Sequence, residues 1–250
     1  MKTAHLLLLS IALAGCANPH EPLDPLEPMN RAVYRFNDTA DRAVVKPVAE
    51  GYRAVTPRPL RIAVGNFFDN IRDAYSAVNN ALRADAQKTT NDVMRVALNS
   101  TFGLFGLIDI ATPAGLANNK TTLGDTFASW GGKTSSYLVL PLLGPSPVRD
   151  GLGTAATYTA SPEPGVVFQT HTQLAAATVL DGVNTRTRLL GVEQTVDEAA
   201  LDPYSYIRDA YLQLRAKQVG ADLPKAPSDD ENLDIDQLMA PTPAEASAPL

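Results

Sequence analysis

Cysteine is nearly absent from this 250-residue chain: Cys16 is the only one. No disulfide can therefore form within a single copy, and packing alone must hold the fold. Histidine is scarce as well, and beyond position 15 only His20 and His171 remain. That excludes a Cys/His metal cluster and leaves a nucleophilic triad one usable imidazole and no thiol. There is no Gly-x-Ser-x-Gly turn; "GPSPV" at 144–148 lacks the final glycine and places prolines on both sides of Ser146. No glycine-rich phosphate loop opens a helix in a βαβ context. His171, in "FQTHTQL", fits a capping or packing position better than a general base. The residues thus point to no catalytic group, no cofactor and no metal site, and a net charge of −6 disfavours nucleic acid.

Long apolar runs are also missing from the body of the chain. The stretch "YLVLPLLGPSPVRDG", 137–151, is far shorter in its apolar part than the roughly 20 residues a spanning helix needs, and Pro141, Pro145 and Pro147 interrupt it. It fits a buried strand or core loop, or a segment lying against a membrane interface. A second stretch of this kind, "TFGLFGLIDIATPAGL" at 101–116, is apolar, punctuated by Gly103, Gly106 and Gly115, and carries Asp109 as its one charge. It fits either a core helical hairpin or a surface that faces something other than water.

What is present begins at the amino terminus. Lys2 precedes the apolar run "AHLLLLSIALAG" and then Cys16, the layout of a secretory signal peptide. "LAGC" at 13–16 looks like a bacterial lipobox, so residues 1–15 are expected to be removed and Cys16 to be acylated. At about 0.8 kcal/mol per buried CH₂, two or more acyl chains make a stable anchor. Ala17, not Asp, follows the cysteine, as in lipoproteins sent on to the outer membrane. A Pro-rich leader is expected over 16–27, one domain over 28–219, and a disordered acidic tail over 220–250. From Ala221 onward seven acidic residues face Lys225 alone, whereas seven basic residues face three acidic ones between Arg31 and Arg61. That basic segment suits either a solvated helix face or contact with phospholipid head groups.

The periodicity is helical and strand patterns are sparse. From Leu60, positions Val64, Phe67, Phe68, Ile71, Tyr75, Val78 and Leu82 recur in steps of three and four, with Pro59 suited to a first turn; such a helix is about 34 Å long. Further helices are expected over Ala86 to Ser100, Thr172 to Leu190, and from Pro203 with Asp202 as its cap. Asp69 and Asp73, four apart, read as a solvated pair beside Arg72.

The blocks "DPLEPMNRAVYRFND" (24–38), "KPVAEGYRAVTPRPLR" (46–61), "VGNFFDNIRDAYSAVNNAL" (64–82), "NSTFGLFGLIDIATPAGL" (99–116), "GDTFASWG" (124–131), "YLVLPLLGPSPVRDG" (137–151) and "DPYSYIRDAYLQLR" (202–215) resemble, in order, the MlaA/VacJ family of outer-membrane lipoproteins. The resemblance covers about residues 24–217. It implies an all-α single domain, a ring of amphipathic and interfacial helices embedded in the inner leaflet of the outer membrane. It further implies a non-enzymatic role: phospholipids that have strayed into the outer leaflet pass through an amphipathic channel to the periplasmic carrier MlaC, beside a porin trimer, which preserves lipid asymmetry. A head group crossing hydrocarbon needs polar partners, and Asn30, Arg31, Arg35, Asn37, Asn79 and Asn80 are candidates for that lining. Phe102, Leu104, Phe105, Leu107, Ile108, Leu138, Leu140, Leu142 and Leu143 are candidates for the face toward acyl chains. Two alternatives remain open: a porin-associated scaffold that moves no lipid, and a phospholipase using Ser146, His171 and Asp150.

Overall fold

The computed structural model describes residues 23–132, 135–160, 167–168, 170–190 and 200–221; Cys16, His20 and the acidic tail from 222 lie outside them. The described chain is mostly helical. Helix α1 (Glu27–Ala40) starts with Glu27 and Pro28 in its first turn, where a missing N–H costs nothing and a carboxylate suits the helix dipole. It runs straight into α2 (Lys46–Val55) through a π-helical turn, Asp41–Val45. Pro47 explains that turn: it cannot donate to the carbonyl four residues back, so the ladder widens and Lys46 N–H bonds Asp41 O instead. Thr56, ahead of Pro57, is extended and ends α2.

Helix α3 (Arg58–Leu82) is the long helix expected from the three-and-four pattern. A three-residue turn returns the chain as α4 (Ala86–Thr101), whose N-terminus is capped by the Asp85 side chain on Lys88 N–H. Between these two helices the interior is polar. Arg95 is buried and donates through Nε to Asp73 Oδ2 at 3.0 Å, while Lys120 Nζ reaches Asp73 Oδ1 at 2.5 Å. Asp92, also buried, accepts from Ser76 Oγ at 2.6 Å and from the Asn80 and Asn119 amides at 2.7 Å each. The solvated Asp69–Asp73 pair is thus half corrected. Asp69 stays partly exposed and pairs with Arg72 at 2.8 Å, but α4 packs over Asp73 and buries it completely.

The 102–122 segment links α4 to α5, with large apolar side chains exposed in its first half and Asn119 and Lys120 of its second half bonded back to Asp92 and Asp73. Leu104, Phe105 and Gly106 all have positive φ, a costly run for two residues with side chains. Asn99 holds it: its Oδ1 accepts from Ile110 and Ala111 N–H at 2.8 and 2.9 Å, and its carbonyl accepts from Gly106 N–H at 2.8 Å. Phe102, Leu104, Phe105, Leu107 and Ile108 are exposed, Phe105 to 81%.

Helix α5 (Leu123–Ser129) opens with a capping box between Thr122 and Asp125. Strands β1 (Val139–Leu140) and β2 (Gly144–Pro145) form a small antiparallel hairpin with Val139 opposite Pro145 and Leu140 opposite Gly144. Leu142 and Leu143 at its tip are exposed, whereas Leu138 and Leu140 are half-buried. Helices α6 (Val148–Ala160), α7 (His171–Leu189) and α8 (Pro203–Val219) follow. Asp202 caps α8 through Tyr204 N–H, and Gly220, in the left-handed region, ends it.

The apolar core is small and aromatic: Tyr137, Val139, Tyr204 and Leu212, with Val33, Tyr34 and Tyr211 packed against it. Edge-to-face contacts join Tyr204 to Tyr34 at 5.6 Å and Tyr137 to Tyr204 and Tyr211 at 6.3 Å. No described helix is long and apolar enough to cross a membrane. Buried polar side chains inside, with large apolar ones outside, invert the usual soluble arrangement and mark an extended apolar contact surface.

Candidate functional site

An open cleft of about 630 Å³ is lined by five parts of the chain: α3, residues 120–124 at the start of α5, the β-hairpin, α6 and α8. One wall depends on two glycines. A Cβ on Gly153 of α6 would stand 2.7 Å from Gly124 N, and one on Gly124 would stand 2.2 Å from Asp150 Oδ1. Only without side chains there can α5 and α6 cross this closely. Leu140, Leu143 and Pro145 of the hairpin and Leu214 of α8 supply apolar surface, while Thr154 and Thr157 add hydroxyls.

Three cations face this cleft, each already held by carboxylates. Arg72 bonds Asp69 and, across to α7, Asp181. Lys120, in a left-handed turn, donates to Asp69 O at 2.6 Å and to Asp73. Arg215 of α8 donates to Asp150 Oδ2 and pairs with Asp125 Oδ1, both at 2.8 Å. Burial opposes the charge on Arg215, but the bond to Asp150 and the two neighbouring carboxylates outweigh it and hold its pKa above the ordinary value. Burial pushes Tyr211, also on the cleft, up to about 12, and the charge of Asp150 adds to this. The cleft therefore joins an apolar wall to paired charges of both signs, which suits an amphipathic molecule carrying a charged head.

A family model described as MlaA lipoprotein matches residues 22–218. The chain belongs to the MlaA lipoprotein family. The Escherichia coli (strain K12) protein named "Intermembrane phospholipid transport system lipoprotein MlaA" is 31% identical over 224 residues, covering 85% of this chain and 86% of that protein. An uncharacterized protein of Rickettsia bellii is 33% identical over 207 residues, covering 82% and 79%. A solved structure, from work on the structural basis for maintenance of bacterial outer membrane lipid asymmetry, superposes with a TM-score of 0.67 at 31% identity. It covers 78% of this chain and 98% of that one.

In this MlaA family member the six polar positions expected at a channel have separate fates. Asn79 lines the cleft, with its amide on Tyr75 O and its carbonyl accepting from Thr126 Oγ1 at 3.0 Å. Asn30 is fully buried, donating to Asp24 Oδ1 at 2.7 Å and Tyr137 O at 3.1 Å and accepting from Val139 N–H at 2.9 Å. Asn80 is the buried donor to Asp92. Asn37 braces the hairpin: it donates to Leu140 O at 2.9 Å and accepts from Leu142 N–H at 2.8 Å. Arg31 pairs with Glu27 and Asp202 and lies 4.4 Å over the Tyr204 ring, and Arg35 is exposed.

Arg72, Lys120 and Arg215 were not singled out by sequence reasoning as lining residues. The available signal was the cationic side chain inside otherwise amphipathic blocks, "NIRDAY" and "YLQLR". For the hydrolase alternative, Ser146 is buried and Asp150 is engaged by Arg149 and Arg215. His171 begins α7 at an exposed position, and among the described residues no hydrogen bond joins these three.

Proposed function

We propose that this chain is a lipid-anchored, non-enzymatic phospholipid transporter of the outer membrane. Acylated at Cys16 and seated in the inner leaflet, it receives phospholipids mislocalised to the outer leaflet and passes them through the 630 Å³ cleft to the periplasmic carrier MlaC, beside a porin trimer. The observation that carries this reading is the cleft itself, whose lining combines apolar hairpin and helix residues with Arg72, Lys120 and Arg215. Paired cations suit transit better than bare ones: a phosphate can exchange with a carboxylate already present, so it is attracted without being trapped. The apolar residues 102–108 and 142–143 supply the surface toward acyl chains. The polar candidates Asn30, Asn37 and Asn80 act in this proposal by holding the helices and the hairpin that frame the cleft, Arg31 by tying α1 to α8, and Arg35 at the head-group level.

Placing a photocrosslinking residue at Leu140, on the cleft, and at Glu50, exposed on α2, tests the reading in cells grown with labelled phospholipid. Light-dependent lipid labelling at Leu140 well above that at Glu50 is expected. Equal labelling at both would favour the porin scaffold that moves no lipid.

A further inference from the structure

A second polar cavity, of about 240 Å³, opens where the first turns of α3 meet the end of α7. Arg58, Arg61 and Arg188 line it with Gly65, Asn66 and Asn184, and no carboxylate is among its lining residues. Arg58 forms no ion pair among the described residues. Arg61 spends one nitrogen on the carbonyls of Arg53 and Thr56, and among the described residues Arg188 has only Asp69 as a carboxylate partner, at 3.9 Å. Asn184 is 1% exposed; its Oδ1 accepts from the Tyr52 hydroxyl, but its Nδ2 has no hydrogen-bond partner among the described residues.

Gly65 shows where these donors point. A Cβ built there would lie 3.3 Å from both Arg188 Nη2 and Asn184 Nδ2, so both nitrogens border the space the glycine leaves open. Guanidinium groups that repel one another and a buried amide without an acceptor are both relieved by one kind of occupant, an anion with several acceptor oxygens.

The surroundings say what the anion is attached to. An apolar groove of about 460 Å³ shares Arg58, Ile62 and Asn66 with the cavity and continues over Pro59, Leu107 and Ile108. Ile62, Leu107 and Ile108, which line it, are exposed. Cations set among exposed apolar side chains are the arrangement of a membrane interface. Free phosphate would fill the cavity and leave the groove empty, as would an acidic peptide side chain; a phosphate diester bearing an acyl chain occupies both.

We propose that cavity and groove together form a second phospholipid site on the rim of the protein. Arg58, Arg188 and Asn184 Nδ2 hold the phosphate, and an acyl chain lies along Ile62, Leu107 and Ile108. None of these residues lines the 630 Å³ cleft, so the site stands whether or not the cleft conducts lipid. A lipid held there would set the depth and tilt of α3 in the leaflet.

Native mass spectrometry of the purified mature protein, released from detergent after incubation with phosphatidylglycerol, tests this. The wild type should retain one phospholipid more than R58Q/R188Q, and a variant narrowed in the cleft, Thr154→Trp, should keep the rim lipid. Arg58→Gln alone, at an exposed position with no ion pair among the described residues, should weaken retention about tenfold, the loss of one good charge-assisted contact. Diacylglycerol and inorganic phosphate, tested separately, should each bind at least about tenfold more weakly than phosphatidylglycerol. Equal lipid counts in the wild type and both arginine variants would overturn the proposal. So would diacylglycerol held as tightly as phosphatidylglycerol, or inorganic phosphate binding as tightly as the lipid, which would make this a free-anion pocket.

Discussion

Replacing Asp73 with Asn keeps the side-chain volume and removes the charge that Arg95 and Lys120 share. Lys120 is partly exposed and can turn toward water, but Arg95 cannot: its side chain is 2% exposed, and its next carboxylate, Asp109, lies 3.6 Å away. Removing one partner of a buried pair costs about 3–5 kcal/mol, because the other charge is left uncompensated. Asp109, with the bonds from Arg95 to Thr112 Oγ1 and Leu116 O, softens this, so about 3 kcal/mol is expected. For a domain of this size each kcal/mol moves Tm by roughly 2–4 °C, which gives a drop of about 6–12 °C. Thermal melts of the mature protein in mild detergent, followed by far-ultraviolet circular dichroism, measure it. Asp69→Asn is the control: its pair with Arg72 is a third or more exposed on both sides and should cost at most about 1 kcal/mol. A D73N drop no larger than that of D69N would refute the reasoning, as would a double variant D73N/R95M as unstable as the sum of its parts.

Three further outcomes follow from other parts of the molecule. Gly153→Ala places a Cβ 2.7 Å from Gly124 N and should cost about 1–3 kcal/mol by forcing α5 and α6 apart; an unchanged melt would contradict the close crossing. Burial raises Tyr211 to about 12 and raises Tyr137 and Tyr204 further above the ordinary 10.0, so the folded state holds protons the unfolded state releases. Stability should be intact below about pH 10 and lost as pH rises through 12, with part of the tyrosinate absorbance appearing only on unfolding; fully reversible ionisation of all tyrosines near pH 10 would contradict this. Cys16→Ser should leave the precursor uncleaved and off the outer membrane, and a chain of mature mass in the outer-membrane fraction would contradict acylation there.

Helices were the most legible part of the sequence. The three-and-four spacing from Leu60, with Pro59 ahead of it, marks α3, and Asp202 before Pro203 marks the start of α8, because periodicity and caps are local signals. For the apolar stretch 101–116 the sequence left a core hairpin and an outward surface both open, and the exposure of Phe102, Leu104, Phe105, Leu107 and Ile108 comes from the packing. What was not legible depends on contacts distant in sequence. Asn30 and Asn80 have the same side chain as Asn79, and only the packing of Asp24, Tyr137 and Asp92 around the first two makes them buried ties while Asn79 faces the cleft. Asp73 could not be told from Asp69 by spacing, because its burial comes from Arg95 on another helix and Lys120 on a later loop. The cleft itself draws on five separate elements, and no local pattern announces such a convergence.

The central claim is that phospholipid passes through the cleft, and complementation of a deletion strain tests it most directly. Outer-leaflet phospholipid, measured with an outer-leaflet acylase, should rise on deletion and return to normal with the wild-type chain. It should stay high with Thr154→Trp, provided that variant reaches the outer membrane at the wild-type level. Restoration by Thr154→Trp equal to that by the wild type, or no rise on deletion at all, would contradict transport through this cleft.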